Sequence, residues 1–356
     1  MKPATIKDVA KEAGVSISVV SYVLNNNPNV SITRETRARV VDAARRLNYT
    51  ANSIARGMRT KRSMVIGLAT FWDISDSVFT DVLKGIDNVI EGRGYSVTYC
   101  NLRNGLSADK IVDLYKRRQI DGVILFFHID PAGSFDETGF IGEVKKNGVP
   151  AVVINGNTED PDMNYIYFDY HGTTYNAVNY LYKLGHRKLC YMLPDKGEAN
   201  DTQAKLRING YKDALKDLNL EDNGLFFGRE SIDDIIRLLK PNVRTDDENM
   251  PETADGACTA RPTAIVVNKT HYAVSLLKAF SENGINVPGS VSVIACNDQK
   301  YAEFLTPPLT TVRIPIYEIG RRSAEIMLET LEGNSPNVRL KLPNDVVERE
   351  SCKACI

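Results

Sequence analysis

Ile17, Ser18, Ser21 and Tyr22 fall in a short stretch where a helix would turn all four side chains outward, and together they could read the edges of DNA base pairs. Ile17 suits apolar contact with a thymine methyl group, while Ser18 and Tyr22 bring hydroxyls for hydrogen bonds. The spacing sets their direction: Val20, Val23 and Leu24 recur at helical intervals and claim the buried face. A solvated helix gains little by exposing Ile and Tyr beside Ser. Single exposed apolar residues are nevertheless common, so a plain helical hairpin is the simpler alternative.

The elements that would position these residues can be read around them. Upstream, Ile6, Val9, Ala10 and Ala13 form one helical stripe, with Thr5 as N-cap and Asp8 three residues on, a variant capping box. Gly14 supplies the turn and Ser16 caps the second helix. Two short helices joined by a tight Gly-containing turn make a helix-turn-helix, whose second helix fits a major groove. Thr33 is placed to cap a third helix reaching about Asn48, with Val40, Val41, Ala44 and Leu47 inward. Residues 1–62 carry 12 Lys and Arg against 4 Asp and Glu, a net of +8, which leaves −9 for the remainder. A basic head on an acidic body is the electrostatic footprint of a nucleic-acid binder with a second function.

The strings Thr5-Ile6-Lys7-Asp8-Val9-Ala10, Val15-Ser16, Val20-Ser21 and Val23-Leu24-Asn25 resemble the head of the lac-repressor/galactose-repressor family of bacterial transcription regulators. So do Thr36-Arg37-Ala38-Arg39-Val40 and the run from Leu47-Asn48-Tyr49 to Ile54-Ala55-Arg56, and the likeness continues over nearly the whole chain. The resemblance implies that Ile17, Ser18 and Tyr22 read bases, and that Ser16, Ser21 and Asn25 contact phosphates; Thr5 is counted with the DNA-contacting set. Val19 stands where the family most often has Thr. The resemblance also implies a hinge at 50–62 that becomes helical on DNA, two hinges of a homodimer entering the minor groove together. Met58 would wedge between base pairs, flanked by Arg56 and Arg59. A helix that short cannot hold itself in water. Gly57 weakens it further, and Ala51 replaces the Pro that many relatives carry.

From residue 63 onward, short apolar runs at 64–70, 95–101, 122–127, 151–155, 165–168, 188–193, 263–267 and 291–296, with a crossing segment at 309–315, alternate with helical stretches. Such spacing implies parallel sheets built from βαβ units. The length exceeds one ordinary core, so two lobes are expected. The expected fold class is thus a small all-α helix-turn-helix head plus a two-lobed α/β domain with doubly wound parallel sheets. The family resemblance makes that domain similar to periplasmic binding proteins. The boundaries read as 1–49 for the head, 50–62 for the hinge, 63–345 for the body and 346–356 for a tail. Lobe one is placed at about 64–163 with 294–323, lobe two at about 164–293 with 324–345.

Ligands in such folds lie at the carboxyl ends of the strands. After the first strand come Trp72, Asp73 and Phe79, the last in a run Asp76-Ser77-Val78-Phe79 where relatives carry Asn-Pro-aromatic-Phe. The resemblance adds Gly185-His186-Arg187 and Arg207-Ile208-Asn209-Gly210-Tyr211, with Arg207 as the pocket arginine. It also places Asn297 where the family has an Asp, with Ala295 and Cys296 replacing a Gly and an aromatic. Arg207 can hold a carboxylate, a phosphate or vicinal hydroxyls bidentately. Asp169, before Gly172, reads as a helix cap.

The expected function is a DNA-binding transcription regulator, a repressor, that binds a palindromic operator on double-stranded DNA as a homodimer. A small-molecule effector, a sugar or sugar derivative, would sit between the lobes; control by a protein partner is the alternative. An enzyme is not expected, since the His residues (His128, His171, His186, His271) show no metal spacing and no nucleophile elbow or phosphate loop is present. No cofactor, metal or membrane partner is expected. Scattered Cys, and neither a signal peptide nor a long apolar span, point to the cytoplasm. The acidic stretch 240–260 reads as a surface loop, and Cys352-Lys353-Ala354-Cys355 as a fraying tail with free thiols.

Overall fold

In a computed structural model the described residues are 4–24, 30–49, 62–105, 107–127, 135–156, 160–196, 201–240, 252–253, 256–257, 261–334 and 337–355. Asn25, Arg56, Met58 and Arg59, and most of the 240–260 stretch, lie outside them. The chain forms two compact units, one spanning Met1–Met64 and the other taking in nearly all of Val65–Ile356.

The head holds α1 (Ile6–Ala13), α2 (Ile17–Leu24) and α3 (Arg34–Arg46). At the start of α1, the Asp8 carboxylate accepts from the Thr5 N–H at 2.8 Å and from its hydroxyl at 2.7 Å. Gly14 closes α1 at φ 63°, a left-handed backbone that glycine adopts without a Cβ penalty. Ser16 accepts from the Val19 N–H and Thr33 from the Thr36 N–H, so both act as caps. Val9, Ala10, Ala13, Val20, Val23, Val40, Ala43 and Ala44 make the small core. In α3 the inward position expected for Val41 falls to Ala43, and Val41 is exposed. The inward stripe runs 40, 43, 44, 47, the helical repeat carried through.

The body opens with β1 (Val65–Thr70), α4 (Ser77–Ile90), β2 (Ser96–Asn101), α5 (Ala108–Lys116), β3 (Gly122–Phe126), α6 (Glu137–Lys146), β4 (Ala151–Ile154) and β5 (Asn164–Tyr167). It continues with α7 (Tyr170–Lys183), β6 (Leu189–Leu193), α8 (Thr202–Asp217), β7 (Leu225–Phe227), α9 (Ile232–Leu239) and a ladder of β8 (Glu252–Thr253) with β9 (Gly256–Ala257). Then come β10 (Ala264–Val267), α10 (Thr270–Glu282), β11 (Ser292–Cys296), β12 (Thr310–Arg313), α11 (Ile316–Leu331), β13 (Arg339–Lys341) and β14 (Asp345–Val347). Two six-stranded sheets result, ordered β13-β5-β4-β3-β1-β2 and β14-β12-β11-β10-β6-β7. Within these two sheets every pairing is parallel except that of β12 with β14. Continuous apolar runs such as Val123–Phe126, buried on both faces, suit strands covered by helices on either side.

The chain crosses between lobes around 168–169, 314–315 and 342–344, where it leaves a strand or helix of one sheet for the other. This changes the expected lobe limits. β11 and β12 belong to the second sheet, and α11 and β13 to the first. The reason is non-local pairing: β12 lies against β11, and β13 against the distant β5, and an apolar run does not announce its partner. In each lobe a helix pair closes until only glycine fits. A Cβ on Gly85 of α4 would collide with the Tyr317 carbonyl oxygen in α11, and one on Gly210 of α8 with the His171 carbonyl oxygen in α7.

The tail does not fray. The buried Ser351 hydroxyl donates to the Val293 carbonyl, the Cys355 N–H donates to the Leu184 carbonyl at 2.7 Å, and His186 bridges the Thr263 hydroxyl and the Lys353 carbonyl at 3.0 Å each. Burial pushes the Cys352 thiol up to about 12, and the described cysteines are free thiols. Among the described residues no cluster could hold a metal and no helix is long and apolar enough to cross a membrane.

Candidate functional site

In the head, α2 presents Ile17 and Ser18 exposed and Tyr22 half-buried, with Ser18 and Tyr22 one turn apart on one face. Ile17 is 44% exposed, a large apolar side chain left on the outer surface of this unit. Thr5 and Ser16 lie at the starts of α1 and α2, their hydroxyls engaged in the caps above. Ser21 differs from expectation: it is only 8% exposed. It flanks the Val20–Leu24 stripe, and a small side chain at that edge is covered by its larger neighbours. The outward set is therefore Ile17, Ser18 and Tyr22.

In the body, a cleft of about 390 Å³ lies between the lobes. The first lobe contributes Trp72, Asp76 and Ser77 from the turn after β1 and the start of α4. The second contributes Gln203, Thr270 and Asn297, and the crossing segments add Phe168, Tyr170, Ile314 and Ile316. The strands end at this crevice, so the loops after β1, β10 and β11 converge there. A hydrogen bond spans it: the Ser77 hydroxyl donates to Gln299 Oε1 at 3.1 Å.

Arg207 lies behind the second-lobe wall, fully buried on α8. Its Nη2 donates to Asn297 Oδ1 at 3.0 Å, and its guanidinium sits 4.7 Å from the centroid of the Tyr170 ring. Its Nε and Nη1 have no hydrogen-bond partner among the described residues. The same holds for Nε2 of Gln203, one turn earlier on α8, and for Nδ2 of Asn268, just after β10. Asn268 is fixed by the Tyr191 hydroxyl, which donates to its Oδ1 at 2.7 Å. Asn297 has φ 69°, a left-handed turn that Asn tolerates better than most residues. Burial raises the Tyr170 phenol beyond its ordinary range and pushes the Cys296 thiol up to about 11, with Arg207 opposing both. Both groups are thereby held in their neutral forms.

Of the expected cleft residues, the structure brings Trp72, Arg207 and Asn297 to the site, Trp72 with its ring stacked on Phe126 at 5.5 Å. Phe79 is not at the cleft: with Val82, Ile86 and Ile90 it forms the inward stripe of α4, packed edge-on against Tyr99. Asp73 is exposed and held by the Ser75 hydroxyl and N–H and by Arg103 at 3.4 Å, contacts that lower its pKa. Asp169 caps α7 by accepting from the Gly172 N–H. Asp298 pairs with Arg349 at 2.9 Å and accepts from the Thr311 hydroxyl, so it serves the second lobe's packing. Sequence reasoning missed Gln203, Tyr170 and Asn268. Gln203 could have been found from its i,i+4 relation to Arg207.

Residues 5–52 match the model described as bacterial regulatory proteins, lacI family, and residues 178–352 match a periplasmic binding protein-like domain. Similar curated proteins include catabolite control protein A of Priestia megaterium, 27% identical over 355 residues, covering 98% of this chain and 99% of the relative. The NTD biosynthesis operon regulator NtdR of Bacillus subtilis (strain 168) is 29% identical over 358 residues, covering 98% and 99%. Among solved structures, the lac repressor dimer bound to operator and the anti-inducer ONPF superposes with a TM-score of 0.73 at 23% identity, covering 99% of this chain and all of that one, a likeness of fold. The relatives are transcription regulators rather than enzymes. With a head and a body that each match, in the order and along the full length its relatives share, the chain belongs to the lacI family of bacterial regulatory proteins.

Proposed function

We propose that this regulator is a repressor that binds a palindromic operator as a homodimer, and that a small ligand in the interlobe cleft, a sugar or sugar derivative, sets its affinity for DNA. Ile17, Ser18 and Tyr22 would read bases in the major groove, with Thr5, Ser16 and Asn25 on phosphates and Arg56, Met58 and Arg59 as the minor-groove hinge. Ser21, mostly buried, is left with at most a backbone-directed contact. The observation that carries the reading is the pairing of two features in one chain: a basic head exposing Ile17 on a capped helix, and a cleft lined by Gln203 and backed by Arg207 and Asn268, buried residues with N–H groups that lack partners among the described residues. Buried donors are normally satisfied, so three such residues at and behind one wall favour a place meant to be filled. Ligand binding and DNA binding would then be linked by a coupling free energy acting through lobe closure, typically about 1–3 kcal/mol. Lac repressor with ONPF on operator, the cellobiose complex of the regulator CelR, and a lacI-family regulator from Enterococcus faecium with bound ribose share the fold and hold small ligands, which supports the effector reading.

The test is selection of DNA from a random pool by the full chain, followed by titration of the enriched sequence. A palindrome should emerge, and Tyr22→Ala or Ile17→Ala should relax preference at defined base positions by about 1–3 kcal/mol. Met58→Ala should weaken specific binding more than non-specific binding. An unenriched pool, or variants that keep the wild-type preference, would sink the DNA-reading assignment.

A further inference from the structure

Arg207 is a buried cation that no carboxylate reaches within hydrogen-bond or ion-pair distance among the described residues. Among the described residues its guanidinium meets one neutral acceptor, Asn297 Oδ1, and one aromatic face, Tyr170. Isolated buried charge is costly, and real proteins almost always pair it. The carboxylates along the cleft are committed elsewhere. Asp76 accepts from the Val78 N–H, Asp81 pairs with Lys84 at 3.2 Å, and Asp298 pairs with Arg349. Asp201, at the start of α8, accepts from the Gln203 N–H. Beside Arg207, the buried side-chain groups here that lack a partner among the described residues are donors, Gln203 Nε2 and Asn268 Nδ2.

From this imbalance, and resting on the effector reading of the same cleft, we propose that the effector is an organic oxyanion, a carboxylate or phosphate ester, whose charge is met by Arg207 through the N–H groups of Nε and Nη1 that have no partner among the described residues. A guanidinium presents two forks of N–H bonds, Nε with Nη2 along its side and Nη1 with Nη2 at its end, and each matches the oxygens of a carboxylate or phosphate. Gln203 and Asn268 would supply further N–H donors to the same anion or to neighbouring hydroxyls. Asn297 is suited to this task because it steadies Arg207 without neutralising it. An Asp at the same position would pair with the guanidinium and repel an incoming anion.

The experiment is calorimetric titration of the full chain with matched series: glucose, gluconate, glucuronate and glucose 6-phosphate, then ribose, ribonate and ribose 5-phosphate. Each is repeated on Asn297→Asp, which fits the left-handed turn, and on Gln203→Ala. At least one charged member should bind about 100-fold more tightly than its neutral parent, the scale expected for a desolvated charge pair. Whether acids or phosphates bind identifies the anion. Asn297→Asp should erase that preference while raising the melting temperature of the ligand-free protein. A neutral sugar binding as well as its charged partners, or Asn297→Asp leaving the preference intact, overturns the oxyanion and leaves the cleft an effector site. No binding by any member overturns both readings.

Discussion

The two walls of the cleft are built from the same parts and finished differently. Each lobe packs a helix pair through a glycine, α4 on α11 by Gly85 and α7 on α8 by Gly210. Each ends its strands at the crevice. On the second-lobe side the polar groups at and behind the lining are buried, with Arg207 and Asn268 at 0% and 1% exposure and Gln203 at 6%, while His271 and Tyr301 are exposed at its rim. The first-lobe wall is a half-exposed turn, Trp72 through Ser77, with Ile74 60% exposed. Under the proposed effector reading, the contrast implies a division of labour: the second lobe would hold ligand chemistry in place, and the first would supply a surface that comes to it.

The largest test of that division substitutes the two glycines in turn. Gly210→Ala places a Cβ against the His171 carbonyl, pushes α8 off α7 and displaces Arg207, so both stability and ligand affinity should collapse, by about 3 kcal/mol or more in stability. Gly85→Ala should destabilise comparably through α4 and α11 yet cost much less affinity in the protein that still folds. Denaturant titration and calorimetry on both variants decide it, and equal losses of affinity would contradict the asymmetry. A smaller effect is expected from Ser77→Ala, which removes the hydrogen bond across the cleft. One neutral hydrogen bond contributes about 1 kcal/mol, so ligand affinity should fall roughly fivefold with the melting temperature almost unchanged. A larger fall in stability than in affinity would make Ser77 a packing residue instead.

The smallest effect is one of pH. His171, His186 and His271, the histidines among the described residues, all lie in the second lobe, and burial lowers the pKa of His186. The unfolded chain then takes up the proton more readily than the folded one. Stability is full above the ordinary imidazole pKa of about 6.5 and falls as the pH drops through it. His186→Gln should flatten that slope by at most one proton, about 1.4 kcal/mol per pH unit. An unchanged slope would show that His186 does not govern the docking of the tail.

Much of this was legible in the sequence, for physical reasons that vary by region. The central strands were read within a residue or two because apolar runs such as Ala151–Ile154, buried on both faces, cannot be mistaken for amphipathic surface; β4 is buried throughout. The edge strands β7, β13 and β14 escaped: they are three residues each, and β13 alternates exposed and half-buried positions. Which lobe a strand joins was not legible, since that rests on pairing across the chain. At the site, Arg207 and Asn297 were found as motif positions, yet their hydrogen bond joins residues 90 apart, and no spacing reports it. Phe79 misled because an aromatic after a strand looks the same whether it faces ligand or core.

The left-handed turn at Asn297 carries one more consequence. At φ 69° the backbone accepts Asn, Asp and Gly readily and most other residues poorly. The position therefore has a small alphabet, in which Asn and Asp differ in charge more than in shape. Exchange among them would reset the polarity a ligand must bring while leaving the backbone where it is. A duplicated copy of this regulator could thus turn toward a different class of metabolite in a single mutational step, without first losing its fold.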